Sequence, residues 1–233
     1  MKQKLKFKDR KQHYINRVQF FKDVINLVSH WLLPEYCVCC AKNGKLLCQH
    51  CYQLIHFNPT PSSNKLFAQQ YLDQTLILAT YQSPISDLIK KLKYQGIKKV
   101  SLVLAELLYQ HLKLDQYDVI TWAPTSKKRV NERGFNQAEL IACQLATKLN
   151  IPALPLLLKI RHTSKQAHST FQERLENLQD SFAVNPEFLA TVQQQKILII
   201  DDVISTGSTL NECAKILKLA QAKTVTALAV ARS

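Results

Sequence analysis

The chain has 233 residues, enough for one good core and a small appendage. Its 46% hydrophobic content is that of an ordinary globular protein, and no apolar run approaches the ~18 residues of a spanning helix, which excludes a chain built on membrane helices. A net charge of +14 points to anionic partners: nucleic acid, phosphorylated metabolites or an anionic surface.

Part of that charge is local. In residues 1–20, Lys2, Lys4, Lys6, Lys8, Arg10, Lys11 and Arg17 face only Asp9, so residues 1–14 read as a basic flexible arm. From Ile15 to Leu33, Val18, Phe21, Val24 (or Ile25), Val28, Trp31 and Leu32 recur at helical spacing, and Pro34 ends the pattern. Lys22 and Asp23 break the apolar stretch begun by Phe20 and Phe21, so no secretory signal is expected. The expected location is the cytoplasm, with peripheral contact at the inner membrane open through the arm and helix. Seven cysteines in a reducing compartment then suggest a metal rather than disulfides.

Cys37 and Cys40 form one CxxC knuckle, and Cys48 and Cys51 a second, with Gly44 placed to turn the chain between them. Two knuckles give a tetrahedral set of four thiolates, which is the chemistry of structural zinc, with no open position for catalysis. Cys39 and His50 are spare ligands by type, while Cys143 and Cys213 read as core residues. The expected organisation is an arm over 1–14, a helix plus zinc-binding module over 15–57, a Pro/Ser-rich linker over 58–70, and an α/β domain over 71–233.

Within 71–233 strands and helices alternate. Leu76–Tyr81 reads as a strand. Pro84–Gln95 reads as a helix with Ile85, Leu88, Ile89 and Leu92 inward, Lys90, Lys91 and Lys93 on the outer side as either a solvated or a phosphate-contacting face, and Gly96 as its stop. Val100–Leu114 is a second, more apolar helix. Val119–Trp122 is a buried strand whose tip leads through Thr125 and Ser126 into a cationic loop containing Lys127, Arg129 and Arg133, and then into a helix with Ala138, Ile141, Ala142, Leu145 and Leu149 inward. A strand is expected over 154–158. Lys159–Asp180 has no sustained periodicity and carries Arg161, Lys165 and Arg174, as a lid or binding loop would. Lys223–Ala231 supplies a final strand.

Lys196–Thr209 carries the chemistry. The apolar run Ile197–Ile200 reads as a strand of a parallel sheet, followed by Asp201 and Asp202 and then the turn Ser205-Thr206-Gly207-Ser208-Thr209. A helix follows with Leu210, Cys213, Ala214 and Leu217 on one stripe. A helix N-terminus offers unpaired N–H groups to a phosphate monoester, and Gly207 lets the backbone come close. Vicinal carboxylates suit the two hydroxyls of a ribose, or a metal ion shared with it. Strand tips of an open α/β sheet converge on one crevice, so Lys127, Arg129 and Arg133 are expected to face Asp201 and Asp202, with phosphate or pyrophosphate bridging them.

This strand–acid pair–loop–helix segment resembles the PRPP-binding motif of type I phosphoribosyltransferases. Three further blocks widen the resemblance: Leu33-Pro34 with Cys37 to Cys51; Arg133-Gly134-Phe135-Asn136-Gln137-Ala138; and Arg161, Thr163, Gln166, Arg174, Asn177 and Phe182. Together they resemble the ComF family over most of the chain. The sequence departs from the family pattern at Ala123-Pro124-Thr125, at Ser164 and in the additional Cys39.

The resemblance implies a type I phosphoribosyltransferase-like, mostly parallel sheet flanked by helices, with a small N-terminal four-cysteine zinc module. It also implies a competence protein that handles incoming single-stranded DNA in the cytoplasm, bears a PRPP site, and works with a DNA-uptake helicase or recombination mediator protein. The alternative is an active phosphoribosyltransferase of nucleobase or nucleotide metabolism using Mg-PRPP. There Asp201 and Asp202 would hold the ribose, Ser205, Thr206, Gly207, Ser208 and Thr209 the 5′-phosphate, and Mg2+ with Lys127, Arg129, Arg133 or Arg161 the pyrophosphate. DNA binding would use aromatic platforms, for which Tyr36, Tyr52, Tyr81, Trp122 and Phe135 are candidates.

Overall fold

A computed structural model describes residues 36–58, 70–114, 116–160 and 181–233. The basic arm, the helix over 15–33, most of the linker and the lid loop with Arg161 lie outside these residues.

The body is a four-stranded sheet in the order β1-β6-β5-β2, with β1 at Gln74–Thr80, β2 at Val119–Trp122, β5 at Lys196–Ile204 and β6 at Thr224–Arg232. Every pairing is parallel, with Leu198 opposite Thr226 and Ile120 opposite Leu198. The strands read as continuous apolar runs because helices or loops cover both faces. Alternation sorts their side chains. Leu76, Leu78, Ile120, Trp122, Leu198, Ile200, Leu228 and Val230 point to one face, against α2 (Ile85–Gln95), α3 (Val100–His111) and α5 (Gln137–Leu149). Ile77, Val119, Ile197, Ile199, Val225, Ala227 and Ala229 point to the other, against α7 (Ser208–Leu219) and Phe182, Phe188 and Val192.

Three sequence readings change. The strand expected over 154–158 is not a fifth regular strand. Residues 152–154 make a single parallel bridge beside Ile120, and the chain then turns so that β3 (Leu157–Lys159) pairs antiparallel with β4 (Phe182–Val184). Pro152 and Pro155 lack the N–H groups that a longer ladder would need. The loop expected at 127–133 is a helix, α4 (Lys127–Arg133), begun by Ser126, whose Oγ accepts the Arg129 N–H at 3.3 Å, and ended by Gly134 at φ +78°. The strand expected to stop at Ile200 continues to Ile204, so both aspartates lie inside it.

The cysteine segment packs directly on the body. α1 (Gln49–Gln53) is followed by a short extended stretch in which Phe57 bridges antiparallel to Ala79 of β1. The Asn58 N–H donates to the Leu78 carbonyl at 2.9 Å, and the Thr80 N–H to the His56 carbonyl at 3.1 Å. Ile55 joins the main core, Tyr52 Oη lies 3.0 Å from His111 Nε2, and the Phe57 and His111 rings stack at 3.9 Å. Among the described residues no helix is long and apolar enough to cross a membrane.

Candidate phosphoribosyl cleft and metal centre

The two aspartates owe their different surroundings to strand geometry. Because β5 runs through them, their side chains point to opposite faces of the sheet. Asp202 turns toward α2, where Lys93 Nζ meets its Oδ2 at 2.6 Å; the carboxylate is 5% exposed, and Oδ2 makes no hydrogen bond besides this ion pair. Lys93 is thus not a solvated lysine of an outer face. It follows Ile89 by four residues on the edge of the buried stripe of α2, the one sequence signal that could have placed it. Asp201 turns toward α7. Its carboxyl accepts the Asp202 N–H at 2.8 Å, yet burial, reinforced by the neighbouring Asp202, pushes it up to about 8.

The acids line a cleft of about 270 Å³ at the carboxyl ends of the strands. Lys93 and Tyr94 enter from α2, Ala123, Pro124 and Thr125 from the β2 tip, Arg129 and Arg133 from α4, and Lys159 from β3. Of the cations expected to converge here, Arg129 and Arg133 line the cleft, while Lys127 sits exposed on the first turn of α4 and is not among the lining residues. Lys159 is an addition that the sequence pattern does not signal; burial, and then the nearby Arg129, depress its pKa. Asn136 holds the entrance in shape. Its side chain caps α5 by accepting the Ala138 N–H at 3.0 Å and donates to the Ala123 carbonyl at 3.1 Å, which ties α5 to the β2 tip.

The 205–209 loop adjoins this cleft. It wraps a smaller pocket of about 50 Å³ that shares Asp201, Val203 and Thr209 with it. Gly207, at φ +82°, precedes the first turn of α7 in a left-handed conformation that other residues rarely adopt. No side chain caps α7; the Thr206 hydroxyl instead lies 2.8 Å from that of Ser208 and accepts the Ser208 N–H at 3.3 Å. Small hydroxyls and helix N–H groups at a strand tip can ligate a phosphate.

The four expected metal ligands come together. The Sγ atoms of Cys37, Cys40, Cys48 and Cys51 all lie within 4.8 Å of one another, and those of Cys40 and Cys48 are 3.6 Å apart. Thiolates at about 2.3 Å from a tetrahedral ion stand about 3.8 Å apart, so the set fits zinc. The first knuckle is a tight turn, with the Ala41 N–H donating to the Cys37 carbonyl and the Cys37 N–H to the Lys42 carbonyl. The second opens α1, where Cys48 stands at the cap and Cys51 one turn on. Burial raises the Cys37 thiol, but backbone N–H groups, among them that of Cys48 at 3.5 Å, outweigh it and bring the group down to about 6. Cys39 is outside the set: its thiol donates to the Pro84 carbonyl at 3.8 Å, and burial and the nearby Cys37 push it up to about 12. His50 is exposed.

The expected aromatic platforms do not form one surface. Trp122 and Phe135 belong to the main core, Tyr52 and Tyr81 pack against it, and Tyr36 lies 47% exposed in the cysteine segment. Cys213 is fully buried as expected, whereas Cys143 is half-buried.

A parallel sheet with acids at the tip of a central strand and a Gly/Ser/Thr loop opening the next helix defines a phosphoribosyltransferase-like protein. Residues 130–233 match the family model described as phosphoribosyl transferase domain. Over 197 residues the chain is 32% identical to Competence protein F of Haemophilus influenzae, covering 78% of this chain and 83% of that protein. It is 28% identical to DNA utilization protein YhgH of Salmonella typhi, covering 85% and 89%, and 30% identical to Competence protein ComFC of Streptococcus pneumoniae, covering 66% of each. The chain belongs to the ComF family.

Proposed function

We propose that the cleft binds PRPP with Mg2+ and that the protein serves natural transformation by handling incoming single-stranded DNA. The observation that carries the first half is the acid pair on β5 running directly into the open N-terminus of α7. Asp201 and Asp202 would hold the ribose hydroxyls, residues 205–209 the 5′-phosphate, and Arg129, Arg133 and Lys159 the pyrophosphate. Mg2+ fits this arrangement because it takes one or two carboxylates and completes its shell from substrate phosphates and water. Arg161, outside the described residues, would add a further cation to the pyrophosphate. The second half is supported by the names of the relatives, competence and DNA utilization proteins, and by the +14 charge. The partners would be a DNA-uptake helicase or a recombination mediator, in the cytoplasm or peripherally at the inner membrane.

Titration calorimetry with Mg-PRPP tests the site. Asp201→Asn combined with Asp202→Asn should abolish binding in a protein that keeps its far-UV spectrum; unchanged affinity would remove the cleft as the PRPP site. Turnover is the second reading, favoured by the three cations gathered where a leaving pyrophosphate would sit. Acceptor-dependent release of pyrophosphate would establish it.

A further inference from the structure

Tyr94 is a large aromatic side chain left 71% exposed at the last turn of α2, and it lines the cleft beside Lys93. Two reciprocal contacts join the end of α2 to the end of α4. The Arg133 guanidinium lies 5.3 Å from the Tyr94 ring centre, and Lys98 Nζ lies 5.2 Å from that of Phe135. A left-handed glycine separates the two contact residues on each segment: Gly96, at φ +66°, lies between Tyr94 and Lys98, and Gly134, at φ +78°, between Arg133 and Phe135. Two helix ends are thereby clamped together, and the clamp presents an aromatic face bordered by cations. Arg129 stands one turn before Arg133 on α4 and Lys159 lies near it across the cleft. Arg129, Arg133 and Lys98 have no carboxylate partner among the described residues, and on α4 Glu132 is engaged with the exposed Lys128.

We propose that this strip, Lys98–Tyr94–Arg133–Arg129, is where a single-stranded polynucleotide docks, with one unpaired base stacked on Tyr94 and its flanking phosphates on Lys98 and the two arginines. The inference rests on the single-stranded DNA reading above and assigns it a surface. An exposed ring beside a guanidinium is suited to stacking a base of any sequence, and the surrounding cations suit a backbone. A paired base cannot lie on the ring, so the strip selects single strands over duplex. Tyr94, Arg129 and Arg133 line the cleft and Lys98 lies beyond it, so a base on Tyr94 brings the adjoining backbone into the cleft mouth. The two arginines proposed to hold the pyrophosphate are then shared, so Mg-PRPP and the strand compete, and each weakens the affinity of the other by the same factor.

The test is fluorescence anisotropy of a labelled oligothymidylate with the full chain, against a duplex control, over a salt series. Tyr94→Ala should weaken single-strand binding by about 5- to 100-fold, while Tyr94→Phe keeps it. Lys98→Ala should flatten the dependence of log affinity on log salt by about 0.7. Wild-type binding that Tyr94→Ala leaves unchanged, in a variant with the wild-type melting temperature, would overturn this surface and leave the proposed function standing. Equal losses on single strand and duplex would overturn the stacking. Absence of single-strand binding by the wild type would overturn the functional reading itself and this surface with it.

Discussion

Replacing Lys93 with methionine tests what keeps two adjacent carboxylates tolerable inside the cleft wall. Nζ lies 2.6 Å from Asp202 Oδ2, and the two side chains are 18% and 5% exposed. Methionine keeps most of the apolar stem and removes the charge. Removing one partner of a buried pair costs about 3–5 kcal/mol, because the remaining charge stays desolvated. The loss should therefore be about 3–5 kcal/mol. Urea denaturation of both proteins under the same conditions measures it. Adding Asp202→Asn to Lys93→Met should recover most of the loss, because a neutral amide no longer needs the ammonium. No difference between wild type and Lys93→Met, or no recovery in the double variant, would refute the reasoning.

Asp201 carries a linked prediction. Its folded pKa is raised to about 8 from 3.8, so its stabilising contribution is fully present below the unfolded value and lost as pH rises through the folded one. Asp201→Asn should match the wild type at about pH 4 and exceed it by about 1–3 kcal/mol at pH 8, read from urea denaturation at each pH. Elemental analysis should find one zinc per chain; Cys48→Ser should lose the metal, and Cys39→Ala should retain it because its thiol faces Pro84. Chelation should raise hydrogen exchange in residues 36–58 before it does so in the sheet, since the metal supplies that segment's folding energy.

The alternation of apolar strands and amphipathic helices is legible because each element buries a stripe that periodicity records. The four-thiol set is legible from spacing alone. What escapes depends on contacts between distant segments. Ile197–Ile200 reads as a complete strand because acids usually lie outside a sheet. The ladder with β6 nevertheless continues through Asp201 to Ile204, and this sends the acids to opposite faces. Lys93 reads equally as solvated or as a phosphate contact, because a helical wheel cannot show that Asp202 lies opposite. Lys127-Lys128-Arg129 reads as a loop because the helix there is two turns long and buries nothing. Tyr94 gives no signal for a related reason: its significance comes from Arg133, which lies 39 positions away.

The pairing of residues 56–58 with β1 has a further consequence. β1 is the outermost strand of the sheet on its side, and its backbone donors and acceptors would otherwise stand open along that border. An open border of that kind is a template for another chain. The cysteine segment covers part of it, and the thiol cluster secures the segment from only a few residues upstream. Metal occupancy would therefore govern whether copies of this protein remain separate or adhere to one another through β1, so stripped protein should first be examined by light scattering.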